Sequence, residues 1–227
     1  MTRDGTEGAR GSDPGATDPV DDATLALLLE VAGTPKPGNV DRRRDLDDLR
    51  FEAFLGGAVG ARPGLELAGQ TAAEAGAADD ADGAGGTGAG AGEALQRAVE
   101  GTAARAGTHT PVGCLLLPLP LVRAAADPDF DLSPASAGAP CRATTVDDAV
   151  AFYRAFERVD VAVDDPPECA ADLDVRRGSD AEPALREREA TLRDVLALSA
   201  DPGDPGTTGD PDRVPDRNAQ EWTEGFP

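Results

Sequence analysis

Apolar residues recur along most of the chain at the three- and four-residue spacing of an amphipathic α-helix. Leu25, Leu28, Leu29 and Ala32 form the first such stripe, after the acidic pair Asp21-Asp22. Similar stripes predict helices near residues 49–63, 64–75, 93–106, 114–122, 145–156 and 183–200, with a last one starting at about 215. No strand partner is evident for the apolar run 114–122, so a kinked helix is favoured there over a buried strand. The pattern predicts an all-α fold, a single multi-helix domain with Gly/Pro/Asp-rich loops.

The segments between the stripes are rich in Gly, Pro and Asp. Residues 1–20 contain hardly any bulky apolar side chain, so we predict a disordered acidic tail there and a helical domain over 21–227. Predicted loops or linkers cover 76–92, 127–144 and 201–214. The weak alternation at 159–163 is compatible with a short strand.

Composition limits both the core and the partners. The chain has 227 residues with 40% hydrophobic but only 4% aromatic residues, so its core must be built from Leu, Val and Ala. A formal net charge of -22 disfavours nucleic acid as a partner, because phosphate contacts need a basic surface. Abundant Asp and Glu with almost no Lys suggest a halophilic protein in a salty cytoplasm, where self-repulsion is screened.

The cysteines and the apolar runs indicate where in the cell the protein is expected. Cys114, Cys141 and Cys169 are scattered, which fits neither a disulfide framework nor a zinc site. No signal peptide opens the chain, and the run 114–122 is too short to span a bilayer. We therefore expect a cytoplasmic protein without a membrane partner.

The first candidate for chemistry is the stretch from Thr34 to Asp41. Two prolines bracket Lys36, the only lysine in the chain, and Gly38 permits a sharp turn behind it. A rigid connector with a solvated lysine tip explains these residues. A cationic finger held out toward phosphate explains them equally well.

The second candidate is an acidic cluster that includes Asp41, Asp45 and Asp48. Carboxylates beside a lysine could hold Mg²⁺ on a polyphosphate, since Mg²⁺ takes one or two carboxylates plus substrate oxygens. An acidic chain also produces such clusters by chance, so the spacing leaves both interpretations open.

The third candidate is the segment from Gly107 to Gly113, which precedes an apolar helix and contains Thr108, His109 and Thr110. Small residues ahead of a helix offer N–H groups and hydroxyls to an anion. His109 is the only histidine and could act as an acid or base or contact adenine. A simple connection between two core helices is the alternative.

Taken together, these segments resemble the triphosphoribosyl-dephospho-CoA synthase family. The family run T-P-K-P-G-x-V-D is matched from Thr34 to Asp41 behind Glu30. A further four segments look like family segments: 45–54, 109–122, 174–175 and 216–226. The chain departs from the family at His109, where the family has Asn, at Pro111, and at Leu46, where bacterial members have His. The family continues past the position of Phe226, so we expect its C-terminal helices to be missing here.

The resemblance implies an all-α transferase that moves the triphosphoribosyl group of ATP to the ribose hydroxyl of 3′-dephospho-CoA, or of a related acceptor, with release of adenine. The two substrates are then the expected partners, and the triphosphate must be neutralised, which Lys36 and Mg²⁺ could do. Glu30 or Asp41 is then the candidate catalytic base, and Asp41, Asp45 and Asp48 are the candidate magnesium ligands. The candidate contacts to the ATP phosphates are Lys36, Gly38, Asn39, Thr108, His109, Thr110 and Gly113.

Two other functions stay open from the sequence: a non-catalytic or degenerate nucleotide-binding helical protein, and a Mg²⁺-dependent nucleotide hydrolase. The products separate them, since the transferase releases adenine, the hydrolase releases phosphate, and the binding protein turns nothing over. The sequence leaves the oligomeric state open.

Overall fold

A computed structural model of the protein describes residues 17–70, 90–107, 112–127, 129–131, 133–159, 163, 165–200 and 216–226. Across these ranges the chain forms ten α-helices and two 3₁₀ helices, and the β-type pairing is limited to an isolated bridge between Asp41 and Arg44. The predicted all-α fold is confirmed.

The α-helices, in chain order, are α1 (Pro19–Ala32), α2 (Phe51–Ala68), α3 (Ala91–Ala106), α4 (Val112–Leu115), α5 (Pro118–Ala125), α6 (Pro134–Arg142), α7 (Val146–Phe156), α8 (Glu182–Glu187), α9 (Leu192–Ala200) and α10 (Arg217–Glu224). The 3₁₀ helices, Glu168–Leu173 and Val175–Ala181, lie between α7 and α8.

The central contact is a seam of small residues between α2 and α3. A Cβ added to Gly60 would lie 2.3 Å from the carbonyl oxygen of Gly101, and one added to Gly64 would lie 2.4 Å from that of Ala94. The two backbones therefore touch without intervening side chains. Rising numbers on α2 meet falling numbers on α3, so the helices are antiparallel.

The antiparallel seam places the start of α2 beside the end of α3. The segment that leads into α2, residues 33–50, and the segment that follows α3, beginning at Gly107, consequently emerge at the same end of the pair. Within the seam the hydroxyl of the buried Thr102 donates to the carbonyl of Gly57 over 3.1 Å. The antiparallel packing of α2 and α3 thus determines which connecting segments lie close enough to form a site together.

The core around the seam is rich in Ala, Leu and Val, as the low aromatic content predicts. The largest fully buried side chains are Trp222 on α10 and Tyr153 on α7. Phe152 packs edge-on against Phe156 with ring centroids 4.9 Å apart. Helix α7 is apolar on most of its surface and packs against α3, α9 and the second 3₁₀ helix.

The buried carboxylate of Asp148 caps two helices at once. It accepts from the backbone N–H of Thr145 over 2.7 Å and so completes the predicted capping box of α7. Its other oxygen accepts from the N–H of Gly92 in the first turn of α3, over 2.8 Å. A Cβ on Gly92 would lie 2.1 Å from the backbone oxygen of Asp148, so a residue with a side chain would not fit at this position.

Helix α2 continues where a break was predicted at Pro63. A proline inside a helix removes one hydrogen bond and costs about 3 kcal/mol. Pro63 is exposed, whereas Gly60 and Gly64 are buried in the seam with α3. Packing along the seam offsets the cost, so residues 51–68 form one helix.

Three other boundaries differ from the predicted ones. Ser133 caps α6, with Pro134 at its first position, inside the predicted loop 127–144. The predicted helix 183–200 is divided into α8 and α9, because Thr191 and Asp194 exchange capping hydrogen bonds after Glu189 at φ 51°. The predicted kinked helix 114–122 is two helices, α4 and α5.

Other predictions fall partly outside the described residues. The predicted tail overlaps α1, which begins at Pro19 with Asp18 as its N-cap, and residues 1–16 are not described. Residues 71–89, 160–162 and 201–215, which carry parts of the predicted helix 64–75, the possible strand and two loops, also lie outside the described ranges.

We expect the substitution Gly60→Ala to lower the free energy of unfolding by about 1–3 kcal/mol, because the added methyl overpacks the seam. The matched control is Gly56→Ala on the same face of α2, whose Cβ would lie 3.4 Å from the Arg105 carbonyl oxygen. That substitution should be neutral or stabilising by about 0.5–1 kcal/mol, since Ala favours helix. Urea unfolding of both variants checks this, and equal losses would contradict the seam.

Candidate functional site

The stretch after α1 forms a tight turn around Pro37 and Gly38. The N–H of Asn39 donates to the carbonyl of Lys36 over 3.1 Å, and Gly38 has φ 78°. Proline in the second and glycine in the third position with positive φ are the signature of a type II turn. The turn leaves Asn39 exposed, with its side-chain oxygen accepting from the N–H of Val40. Val40 is fully buried and anchors the turn in the protein.

The carboxylate of Asp41 ties both arms of this loop together. One oxygen accepts from the N–H of Lys36 over 3.1 Å and from the Thr34 hydroxyl over 3.2 Å. The other accepts from the N–H of Arg43 over 2.8 Å. Asp41 is 5% exposed, and these hydrogen bonds, led by the Arg43 and Lys36 amides, lower the pKa of its carboxyl group below the ordinary 3.8.

The lysine side chain folds back toward the C-terminus of α1. Its Nζ donates to the backbone carbonyl of Glu30 over 3.2 Å and contacts the Glu30 carboxylate. The Lys36 side chain is only 21% exposed, against 40% for Glu30. The ammonium group is therefore held in place beside a carboxylate and does not extend into bulk solvent.

Cys114, which directly follows the second predicted segment, lies near this pair. Burial raises the pKa of the Cys114 thiol, with a further increase from the Glu30 charge and an opposing effect of Lys36. These interactions require Cys114, in α4, to lie within electrostatic reach of both charged groups. Gly113 precedes it, whereas the predicted contacts Thr108, His109 and Thr110 lie outside the described residues.

Helix α10 holds residues 113–116, called the Gly113 segment here, through two hydrogen bonds. The side chain of Asn218 donates to the carbonyl of Gly113 over 3.1 Å. The indole N–H of the buried Trp222 donates to the carbonyl of Leu116 over 2.6 Å. Sequence reasoning noticed the segment 216–226 through its resemblance to the family, but it did not assign Asn218 to the site.

The three carboxylates predicted to bind magnesium have different surroundings. Asp41 is occupied by the N–H and O–H groups of its own loop, and Asp45 accepts from the N–H of Phe51 at the start of α2 over 2.8 Å. Asp48 is exposed. Across the described ranges no group of three or more His, Cys, Asp or Glu residues is arranged to hold a metal ion. A preformed three-carboxylate site is thus absent there, and magnesium binding with a nucleotide stays a prediction.

Comparison with known proteins identifies the family. A family model described as CitG, ATP:dephospho-CoA triphosphoribosyl transferase, matches residues 16–204. The chain belongs to the CitG family. No curated protein and no solved structure matches the chain significantly.

The matched span of this CitG-family transferase includes Glu30, the Lys36 loop and Gly113, but it ends before α10. The resemblance seen in the sequence is confirmed at the level of the family and of the transferase reaction. The family match assigns no role to individual residues.

The loop geometry distinguishes the two carboxylates proposed as bases. Asp41 has a lowered pKa and donors on both oxygens, so it is a weak proton acceptor whose charge organises the loop. Glu30 is more exposed and contacts the lysine. In this CitG-family protein Glu30 is therefore the more accessible of the two carboxylates.

A separate cavity of about 570 Å³ lies at the opposite end of α3. It is lined by residues of α3, α5, α6 and α7 and their flanks, and none of them comes from the Lys36 loop or α4. Its charged lining includes Glu93, Asp147 and Asp148 against Arg123 and Arg154. This balance of charge does not favour a polyphosphate. No described helix is long and apolar enough to cross a membrane.

We expect the stabilising effect of Asp41 to depend on pH. Its lowered pKa means that the ionised form stabilises the fold above the unfolded pKa of about 3.9, and that this stabilisation is lost as the pH falls through the folded value. Urea unfolding of the wild type and of Asp41→Asn should differ most near neutral pH and converge below about pH 4. A difference that did not change between pH 7 and pH 3 would contradict the role given to the carboxylate.

Proposed function

We propose that the Lys36 loop of this transferase binds the triphosphate of ATP and that Glu30 activates the acceptor hydroxyl. The observation that supports this most strongly is the position of the chain's one lysine. It is held by a type II turn and a buried aspartate at the end of the α2–α3 pair where the Gly113 segment also lies.

The ammonium group of Lys36 can serve Glu30 and a phosphate together. A lysine has three N–H donors, and Lys36 uses two of them, one to the backbone carbonyl and one to the carboxylate of Glu30. One donor can therefore turn to a phosphate oxygen. The pair is partly exposed, and surface ion pairs contribute only about 0–1 kcal/mol, so redirecting one N–H group costs little.

The charge of the neighbouring turn also favours a polyphosphate. Arg42, Arg43 and Arg44 follow Asp41 directly, and all three are exposed. Lys36 and these arginines place four cationic side chains within residues 36–44, where the one carboxylate, Asp41, is buried and hydrogen-bonded. Asp45, Asp47 and Asp48 follow directly, so the three arginines and Lys36 are the part of this region that would attract a triphosphate.

The reaction requires one displacement and two proton transfers. The acceptor's ribose hydroxyl oxygen forms a bond to C1′ of ATP as the C1′–N bond to adenine breaks. The hydroxyl proton goes to the Glu30 carboxylate, which passes it to solvent, and adenine leaves with the bonding electron pair and takes up a proton from solvent. The triphosphate stays on the ribose throughout, so binding it positions C1′ without entering the chemistry.

Two further features are part of the proposal. Mg²⁺ bound to the triphosphate would supply charge neutralisation, and the exposed Asp48 is the predicted ligand best able to reach it, because Asp41 and Asp45 already accept backbone N–H groups. The acceptor is dephospho-CoA or a related ribosyl compound. The acidic composition indicates a protein that works in high salt, where assays should be run.

We expect Lys36→Ala to lower kcat/KM for adenine release by at least about 100-fold, because the triphosphate loses its fixed cation. Lys36→Arg should retain part of the activity. The matched control is Arg62→Ala, which removes an exposed cation on α2 that pairs with Asp21 and Glu66.

The assay combines ATP, Mg²⁺ and dephospho-CoA in high salt and resolves adenine and phosphate by chromatography. Full adenine release by Lys36→Ala would remove the phosphate role from Lys36. Release of phosphate without adenine by the wild type would instead indicate the hydrolase alternative.

A further inference from the structure

Helix α10 lies outside the span matched by the family model, yet it contacts the candidate site directly. The matched residues end at 204, and α10 covers Arg217–Glu224. Asn218 and Trp222, one turn apart on this helix, donate to the carbonyls of Gly113 and Leu116. Together they hold both ends of the short α4 segment that contains Cys114.

The position of α10 itself does not depend on Asn218. Asp216 caps the helix by accepting from the N–H groups of its first turn. Trp222 is 1% exposed, and the Gln220 side chain donates to the Ala200 carbonyl of α9 over 3.3 Å. The guanidinium of Arg193 donates to the carbonyl of Thr223 over 2.6 Å. Losing the Asn218 amide would therefore release Gly113 and leave the helix in place.

The bond from Asn218 also orients the Gly113 peptide group. The carbonyl oxygen, which is the negative end of the peptide dipole, points at α10. The amide nitrogen of Asn218 lies only 3.2 Å from where a Cβ of Gly113 would be, so a side chain there would be crowded. A peptide group freed from this bond could turn its oxygen toward an anionic substrate and repel it.

We propose that Asn218 is a positioning residue for the nucleotide site, and this inference rests on the proposed function. Its side-chain amide holds the Gly113–Cys114 peptide with the carbonyl turned away from the triphosphate, beside the Glu30–Lys36 pair. The residue does not touch the reacting atoms. Its effect is on ATP binding and not on the proton transfer.

The kinetic test compares Asn218→Leu with Gln220→Leu, which removes a similar donor from the same helix. Asn218→Leu should raise the KM for ATP about tenfold with kcat and Tm nearly unchanged, as expected for lost uniform binding. Asn218→Gln, which keeps an amide donor, should recover part of the loss. Gln220→Leu should leave both constants as in the wild type.

A second measurement does not depend on turnover. In a Cys169→Ser background, which removes the exposed thiol, the labelling rate of Cys114 reports how well α4 is held. We expect about tenfold faster labelling in Asn218→Leu and an unchanged rate in Gln220→Leu. Mg-ATP should slow the labelling in the wild type, and the same ATP concentration should protect Asn218→Leu much less.

The outcomes are distinguishable. An unchanged KM for ATP in Asn218→Leu, or an equal rise in Gln220→Leu, overturns the inference. If the wild type releases no adenine, the proposed function is wrong and the labelling decides. Protection by Mg-ATP that is lost in Asn218→Leu then supports the inference, and equal rates in all three proteins overturn it.

Discussion

The direct contact between the backbones of α2 and α3 is the constraint on which the rest of the structure depends. A chain with 4% aromatic residues cannot fill wide gaps between helices, so glycine and alanine bring the helices together instead. The contact fixes an antiparallel arrangement and hence the end at which each connecting segment emerges. The Lys36 loop and the Gly113 segment, 77 residues apart by their numbers (113 − 36), lie at one end for this reason. The 570 Å³ cavity lies at the other.

The charged groups around the Lys36 loop differ in burial and in what they contact. Asp41 is almost fully buried and accepts hydrogen bonds from its own loop, so its charge is used to shape the turn that presents Lys36. Glu30 and Lys36 remain partly exposed, and for this reason the proposed function assigns the substrate contacts to them. At the far end of α3 another buried carboxylate has a structural role, because Asp148 caps two helices.

Local signals in the sequence predicted the turn around Pro37 and Gly38 better than they predicted the helix boundaries. The Pro-Gly pair at 37–38 encodes the type II turn, and Thr145 with Asp148 encodes a helix start, because both depend on neighbouring residues alone. The signals at Ser133-Pro134 and at Thr191 with Asp194 were equally local and were overlooked. The continuation of α2 through Pro63 was not local, since packing against α3 overrides the cost of the proline.

By itself, the sequence determined the all-α class, the family and the tight loop around the chain's one lysine, because helical periodicity, turn chemistry and a long specific motif are properties of consecutive residues. Only the tertiary structure decided what that loop faces. It placed Glu30 against the ammonium group, assigned Asp41 to the backbone of the loop, and brought Asn218 to a carbonyl 105 residues earlier. These outcomes depend on how closely helices distant in sequence approach one another, and that distance is set by side-chain volumes on both partners at once.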